Sequence, residues 1–222
     1  MTSSPQVPPL RAGDKLTRDE FERRYAAMPQ LKKAELIEGV VYMPSPVSYL
    51  YHGHPYFLLH AWLVAYAEAT PGVTGATDTT LRLDLDNEPQ PDLMLRIVAS
   101  CGASRVDGAG YLQGPPELVV EIAASSVSYD LHQKLHVYRR NGVQEYLVLR
   151  AADTAVDWFA LRGGVYERLT GDAAGLLRSE VFPGLWLDVA ALLQGDLAGV
   201  RAAVTNGVRT AEHAGFCGRL SR

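Results

Sequence analysis

The sequence predicts a mixed α/β fold in which helices flank a sheet. Three observations carry this prediction. Leu118 to Ile122 is apolar but for one residue, which is typical of a strand buried on both faces. A helical pattern follows and ends at Asn141 and Gly142, and Tyr146 to Leu149 forms a second apolar run. Strand, helix and strand at this spacing indicate a crossover connection between two parallel strands.

The composition is that of one globular domain, large enough to bury a sizeable core. The chain has 222 residues, of which 47% are hydrophobic and 21% charged, both ordinary values. Its 25 acidic residues outnumber its 21 basic ones, so the formal net charge is -4. A broad nucleic-acid surface without sequence preference is usually basic overall. The charge argues against such a surface, whereas a local basic cleft or a metal-neutralised one stays compatible with it.

The beginning of the chain predicts a leader, a short helix and a hairpin. Residues 1–15 contain several Pro and Ser residues and are expected to be disordered. Thr17 and Glu20 fit a capping box, which predicts a helix from about Arg18 to Ala27. The run ELIEGVVYMP, with Gly39 between two strand-like halves, predicts a hairpin. No signal peptide is recognisable and the most apolar stretch is short, so a cytoplasmic location without a membrane partner is expected.

The middle of the chain predicts a helix and two strands. Pro55 suits the first position of a helix, and apolar residues recur after it at helical spacing. From Thr79 to Asp86, Leu alternates with polar residues, which indicates a half-buried strand. The run Asp92 to Val98 follows a short turn, and we expect it to pair antiparallel with that strand.

The last part of the chain predicts a further hairpin and a helical tail. AVDWFAL and VYERL are strand-like runs around Gly163 and Gly164. A helical pattern begins at Val189 and continues toward the end of the chain. The expected division is a core domain over residues 16–192 and a helical tail over residues 193–222.

Asp92, Glu121 and Lys134 are the candidate functional residues. Asp92 follows a proline at the entrance of a strand, Glu121 interrupts an apolar strand, and Lys134 lies on the next helix. Carboxylates among Leu, Val and Ile are costly to bury unless a cation or a proton compensates them. Mg²⁺ or Mn²⁺ prefers such hard oxygen ligands, and a nearby lysine suits an anionic substrate. The three residues therefore predict a metal-dependent phosphodiesterase.

Each of these residues also has a simpler interpretation. Asp92 could belong to a turn, because Pro-Asp is a common turn dipeptide. Glu121 could stand at a strand end with its carboxylate in water. Lys134 could pair with Asp130, four residues earlier, on a solvated helix face. These alternatives stay open at the level of sequence.

The histidines and serines do not indicate another chemistry. His52, His54 and His60 lack the i, i+4 spacing of a helical zinc site. We expect them to begin or pack against a helix, with His52 a candidate to face the cleft. The serines near residue 126 lack the G-x-S-x-G pattern of a serine hydrolase and are expected to cap a helix.

On these residues the chain resembles the PD-(D/E)xK nuclease superfamily, which has the restriction-endonuclease-like fold. More narrowly, it resembles the Uma-type restriction endonuclease family of bacteria, over about Leu16 to Leu192. The matching segments are ELIEG at 35–39, MPSP at 43–46, QPD at 90–92, ELVVEI at 117–122, the helix from Asp130 to Lys134, GVQEYLV at 142–148 and FPGLWL at 182–187.

The resemblance implies a role for each matched position. Asp92 and Glu121 would be metal ligands for Mg²⁺ or Mn²⁺, helped by the backbone carbonyl of Ile122. Lys134 would be the catalytic lysine, moved to the helix because Ala123 stands where the superfamily has its lysine. Glu35 matches a family acidic position and would assist with metal or water, in preference to Glu38.

The implied activity is a DNA endonuclease with a restriction-endonuclease-like mixed sheet and extra hairpins at both ends. Double-strand cleavage with one active site per chain implies a homodimer. Two alternatives remain: a binding or regulatory module of the same fold that has lost cleavage, and a nuclease acting on RNA. The acidic balance and the missing lysine at Ala123 keep the first alternative open.

Overall fold

The structure is a computed structural model that describes residues 7–43, 46–98, 100–124 and 126–221. Its α-helices are α1 (Arg18–Ala26), α2 (His54–Ala69), α3 (Val127–Tyr129), α4 (Leu135–Arg140), α5 (Val189–Gln194), α6 (Leu197–Gly207) and α7 (Ala211–Leu220). Two wider π-helical turns, Tyr49–Gly53 and Asp130–Lys134, precede α2 and α4.

The strands form one large sheet and three small ones. The large sheet has the order β11-β10-β9-β8-β5-β3, and the small ones are β1-β2, β12-β13 and β4-β7-β6. The strands are β1 (Glu35–Ile37), β2 (Val40–Tyr42), β3 (Val73–Thr77), β4 (Leu81–Arg82), β5 (Leu93–Ile97), β6 (Arg105–Val106), β7 (Leu112–Gln113), β8 (Leu118–Ala123), β9 (Glu145–Arg150), β10 (Ala155–Arg162), β11 (Val165–Arg168), β12 (Leu176–Arg178) and β13 (Trp186–Asp188).

The large sheet is mixed and flanked by helices, so the predicted fold class is confirmed. β8 and β9 are parallel, and the chain crosses between them through α3, the second π-helical turn and α4. The other neighbouring pairs of this sheet are antiparallel. Because β8 lies in the middle, every one of its residues is buried. The predicted crossover is thus the centre of the fold.

The two faces of β8 pack against different helices. Val120 and its face-mates join the core that contains α2 and the C-terminal helices. Val119 and Ala123 pack instead against Tyr138 of α4. Since alternate residues of a strand point to opposite faces, Glu121 shares the face of Val119 and points toward α4. This placement of Glu121 positions the candidate site.

The prediction of a strand over Thr79 to Asp86 is wrong in the length of the strand and in its partner. Only β4 is extended there, and it pairs in parallel with β7. A tight turn follows, with a bridge between Asp84 and Asn87. Leu85, expected on the buried face, is 72% exposed. β5 pairs with β3 and β8 instead, because those strands bury its apolar side chains on both faces.

The predicted N-terminal hairpin is present as β1 and β2. Its turn residues Glu38 and Gly39 have φ of 51° and 74°, which is the left-handed turn geometry that matches strand twist. Ahead of it, Leu10 is buried against Phe21, although it falls in the segment expected to be a disordered leader. Residues 1–6 of the expected leader, residues 44 and 45 of the matched MPSP segment, and Ser125 of the serines expected to cap a helix lie outside the described residues.

The C-terminal half adds strands and helices to the same core. The predicted hairpin at Gly163 and Gly164 is present as β10 and β11, and it extends the large sheet. Helix α6, in the predicted tail, packs on α2 and contributes Val200 and Val204 to the core. Among the described helices, none has both the length and the apolar character needed to cross a membrane.

Candidate functional site

Asp92 lies just before β5, beside the central strand β8. Leu93 pairs with Val120, so Asp92 stands across from Glu121 in the antiparallel register. Its Oδ2 accepts a hydrogen bond of 2.8 Å from the backbone N–H of Ile122. The carboxyl is buried, and its backbone partner lies in the neighbouring strand rather than in a local turn.

Glu121 is held from the helical side of the sheet. Its Oε1 accepts hydrogen bonds from the Tyr138 hydroxyl at 2.9 Å and from Lys134 Nζ at 2.8 Å. Only 3% of the residue is exposed, so the alternative of a carboxylate standing in water at a strand end is wrong. A buried carboxylate that accepts from a cation and a hydroxyl has the compensation that burial demands.

Lys134 ends the π-helical turn Asp130–Lys134 rather than continuing a regular α-helix. Such turns are rare and often occur at functional sites. The turn buries Lys134 to 4% exposure, and its Nζ lies 2.8 Å from Glu121 but 3.8 Å from Asp130. Lys134 thus contacts Asp130 as well, but both residues are buried, so the alternative of a solvated helix face is wrong.

Glu35, the first residue of β1, completes the cluster. Its Oε1 lies 3.0 Å from Lys134 Nζ and accepts a 2.8 Å hydrogen bond from the backbone N–H of Gln90. Glu38 points elsewhere and pairs loosely with Arg140 at 3.7 Å. Of the two glutamates in this hairpin, only Glu35 thus contacts Lys134.

Two further side chains approach Asp92 from the other side. Lys33 Nζ lies 3.4 Å from Asp92 Oδ1, and His52 Nε2 lies 3.3 Å from the same atom. His52 is brought there by the first π-helical turn, which Ser48 caps. Sequence reasoning named His52 as a candidate to face the cleft but missed Lys33. The one sequence signal that could have identified Lys33 was its position two residues before Glu35.

The charges of this cluster do not cancel once every carboxyl is ionised, which requires a pH above the pKa of about 8 of Glu121. With His52 neutral, four buried carboxylates then face two ammonium groups, which leaves two negative charges. A divalent cation would neutralise that excess, which is costly in a buried site. The groups counted are Glu35, Asp92, Glu121 and Asp130 on one side and Lys33 and Lys134 on the other.

The pKa values follow from burial and from these contacts. Burial raises the pKa of the Glu121 carboxyl to about 8, although Lys134 opposes the shift. Burial would also raise the pKa of Asp92, but the hydrogen bond with His52 and the charge of Lys33 outweigh it and lower that pKa. Burial disfavours the Lys134 cation, yet the surrounding carboxylates raise its pKa well above the usual value. The pKa values of the neighbouring carboxyls Asp92 and Glu121 are thus shifted in opposite directions.

The donor atoms fit a magnesium or manganese ion held by few protein ligands. Among the described residues, no group of three or more His, Cys, Asp and Glu side chains is arranged to hold a metal. Mg²⁺ is usually bound through one or two carboxylates, with water and substrate phosphate supplying the other ligands. Asp92 and Glu121 offer two carboxylates. The Ile122 carbonyl points to the same side as its N–H, which bonds Asp92.

Comparisons with known proteins agree with this fold. The family model described as Uma2, putative restriction endonuclease, matches residues 18–190. A crystal structure of a putative nuclease belonging to DUF820 from Anabaena variabilis is similar with a TM-score of 0.62 and 15% identity. That match covers 81% of this chain and 98% of the other. No curated protein matches the chain.

Proposed function

This chain belongs to the Uma2 family of putative restriction endonucleases, and we propose that it is a metal-dependent endonuclease that hydrolyses DNA phosphodiester bonds. The observation that carries the proposal is the position of Lys134. The buried Lys134 amine lies within 3.0 Å of both Glu121 and Glu35, and Asp92 stands beside Glu121. Acidic ligands and a cation therefore meet at one point.

Asp92, Glu121 and the Ile122 carbonyl would hold Mg²⁺ or Mn²⁺. When bound, the ion polarises a phosphoryl oxygen and lowers the pKa of a water molecule. The chain prepares the two carboxylates for this role before any ligand arrives. The Ile122 N–H holds Asp92, and the Tyr138 hydroxyl holds Glu121, so that neither side chain must reorganise on binding.

Lys134 would act on the substrate itself. Its ammonium group can donate to a phosphoryl oxygen and offset the charge that develops during in-line attack. Glu35 accepts from Lys134 and from the Gln90 backbone, so it would orient the lysine and a water beside it. Lys33 stands on the far side of Asp92, where it would contact a neighbouring phosphate.

Nicking of supercoiled plasmid in the presence of Mn²⁺ tests this function. We expect Asp92→Asn, Glu121→Gln and Lys134→Met each to abolish nicking while keeping side-chain volume. Glu38→Gln is the matched control, because this exposed glutamate lies in the same hairpin as Glu35 without touching the cluster. Nicking that survives in all three variants would falsify the site.

A binding module without cleavage is the second candidate, and one observation favours it. Each proposed metal ligand already contacts a lysine, Asp92 with Lys33 and Glu121 with Lys134. Titration calorimetry with Mn²⁺ separates the two candidates, because the endonuclease requires a metal and the module does not. Substituting RNA for DNA in the nicking assay tests the RNA nuclease.

Oligomeric state and organisation belong to the same proposal. Cleavage of both strands by one site per chain needs two copies, so we propose a homodimer, which sedimentation equilibrium would detect. A cytoplasmic location is part of the same proposal. We also propose residues 16–192 as the nuclease domain and residues 193–222 as its helical tail, which limited proteolysis would test.

A further inference from the structure

The two edges of the large sheet differ in charge. The sheet ends at β3 on one side and at β11 on the other, and within the described ranges neither strand has an outer neighbour. Natural proteins usually protect such edges with charged side chains, because the free N–H and C=O groups can pair with another chain. β11 carries Glu167 and Arg168, which are both exposed. β3 reads VTGAT and carries no charge, so it is the unprotected edge.

The backbone of β3 alternates between its inner partner β5 and the open edge. The N–H of Val98 donates to the Gly72 carbonyl, and the N–H of Asp78 donates to the Asp92 carbonyl. The even-numbered residues of this segment therefore bond toward β5, and the odd-numbered ones turn their N–H and C=O groups outward. Gly75, an exposed residue, lies at the middle of the outward set.

The outward groups of β3 are spaced to meet a second copy of themselves. In an antiparallel pair centred on Gly75, this residue and the partner's Gly75 exchange both of their N–H···O=C bonds. Two residues along, the N–H of Thr77 meets the carbonyl of the partner's Val73, and the same bond forms at the other end by symmetry. The strand thus supplies donors and acceptors for its own copy.

A groove of ≈ 540 Å³ lies between this edge and α2. It is lined by exposed residues of α2, by β3 and by buried residues of β5. The α2 residues include His60, Val64 and Glu68, which follow one another at four-residue intervals and so form one stripe along the helix. Val64 is 48% exposed. An apolar side chain between two polar ones, beside an open edge, is typical of the centre and rim of a protein interface.

This stripe is complementary to a copy of itself. The two-fold axis that pairs the two β3 strands also makes the two α2 helices antiparallel. With Val64 at the axis, His60 faces the partner's Glu68 and Glu68 faces the partner's His60, since both residues lie four positions from Val64. An imidazole can donate to a carboxylate, so the same contact forms twice. A second copy therefore matches the strand and the helix at once, which selects it as the occupant of this surface.

We propose that two copies of this chain form a dimer through β3 and α2, which joins their large sheets into one continuous sheet. The inference rests on the homodimer of the proposed function and gives it an interface. Because the axis is perpendicular to the sheet, both faces that carry Glu121 stay on the same side. Asp78, which contacts Lys33 of the cluster, stands three residues from Gly75, so the two copies of Asp78 lie roughly 20 Å apart. One nucleic-acid duplex can therefore reach both clusters.

Sedimentation equilibrium of the full chain tests this interface. Val64→Lys places two ammonium groups at the axis, and their repulsion should raise the dissociation constant of the dimer at least about a hundredfold. Val165→Lys is the matched control, because it makes the same change at a 59% exposed valine on the opposite edge of the sheet. This control should leave the dissociation constant unchanged. Equal dissociation constants for the two variants overturn the interface.

An exchange of charges tests the antiparallel arrangement of the α2 helices. His60→Glu places a carboxylate opposite the partner's Glu68 and should weaken the dimer about tenfold or more. Adding Glu68→Lys restores opposite charges across the axis and should recover the dimer. Within one chain these positions are eight residues apart, too far for a contact along the helix, so recovery reports a contact between copies. A double variant that dissociates as readily as His60→Glu overturns the arrangement.

The plasmid assay separates this inference from the proposed function. A chain that stays monomeric overturns the interface and the homodimer, and nicking by that monomer with Mn²⁺ leaves the endonuclease standing. A dimer that Val64→Lys dissociates, but that does not nick plasmid, supports the interface and overturns the endonuclease. A dimer that persists unchanged in Val64→Lys overturns this interface alone.

Discussion

The two ends of the parallel pair β8 and β9 treat buried carboxylates in different ways. At the starting end, Glu117 accepts from the backbone N–H groups of Ile97 and Ala103. Glu145 accepts there from the N–H groups of Glu180 and Val181 and from the Ser179 hydroxyl. These partners belong to the chain's own turns, so the carboxylates hold loops in place.

At the other end of β8, lysine side chains compensate Glu121 and the adjacent Asp92. A backbone N–H cannot leave its carboxylate without unfolding the turn that carries it. A lysine amine can move toward a phosphate while the strand stays in place. The difference teaches which partner could leave: backbone and hydroxyl donors hold Glu117 and Glu145, whereas Asp92 and Glu121 each also contact a lysine that a phosphate could attract.

Removal of Lys134 should have the largest effect on stability. Lys134→Met removes the cation that stabilises the ionised Glu121, so at pH 9, above the pKa of about 8 of that carboxyl, breaking this buried pair should cost about 3–5 kcal/mol. Adding Glu121→Gln to that variant should restore most of the loss. Urea denaturation at pH 9 measures both. Lys33→Met is the control and should cost less, because Asp92 keeps the Ile122 N–H and His52; equal losses would contradict the comparison.

The nicking activity should depend on Glu121 at one end of the β8-β9 pair and not on Glu145 at the other. Glu121→Gln should lower the plasmid nicking rate by about 100- to 1,000-fold, as expected when a preorganised electrostatic group is lost. Glu145→Gln, an identical chemical change in the neighbouring strand, should leave the rate unchanged. Rates are compared at equal concentrations of folded protein, judged by circular dichroism. A comparable drop in Glu145→Gln would show that the two ends do not differ in function.

The pH dependence of stability should depend on Glu145. Burial raises the pKa of its carboxyl from 4.5 to about 7 in the folded protein. Its contribution is full below pH 4.5 and is lost as the pH rises through 7, a difference of about 3 kcal/mol. Glu145→Gln should remove this part of the decline, which urea titrations at pH 5 and pH 8 measure. An unchanged pH dependence would mean that burial does not shift this carboxyl.

Manganese should stabilise the folded protein by binding at the end of the β8-β9 pair that carries Asp92 and Glu121. Ligand at about 100 times its dissociation constant adds about 3 kcal/mol to the free energy of unfolding. The melting temperature of Glu145→Gln should rise with Mn²⁺ as in the unsubstituted protein, and that of Asp92→Asn should not. Thermal melts with and without Mn²⁺ measure this. Equal shifts in both variants would place the ion elsewhere.

Sequence periodicity was sufficient for the elements whose burial follows their own pattern. β8, β9 and the helical crossover were predictable because an apolar run and a helical stripe report burial directly. The face of Glu121 followed from strand alternation alone. Periodicity failed for Leu85, which alternates as a strand residue yet is 72% exposed, because the tight turn at Asp84 ends the strand.

The acidic pair and the lysine could also be named from residue types, since charged residues in apolar runs require compensation. The π-helical turn could not, because its wider hydrogen bonding leaves no distinct residue spacing. Without that turn, a regular helix would favour the pairing of Lys134 with Asp130 instead of Glu121.

The order of residues along this chain was enough to establish a mixed sheet, its central crossover and three residues worth testing. Which charges meet was settled by folding, because the segment with Lys33 and Glu35 is separate in sequence from His52 and from Lys134. Their contacts depend on turns and packing rather than on spacing.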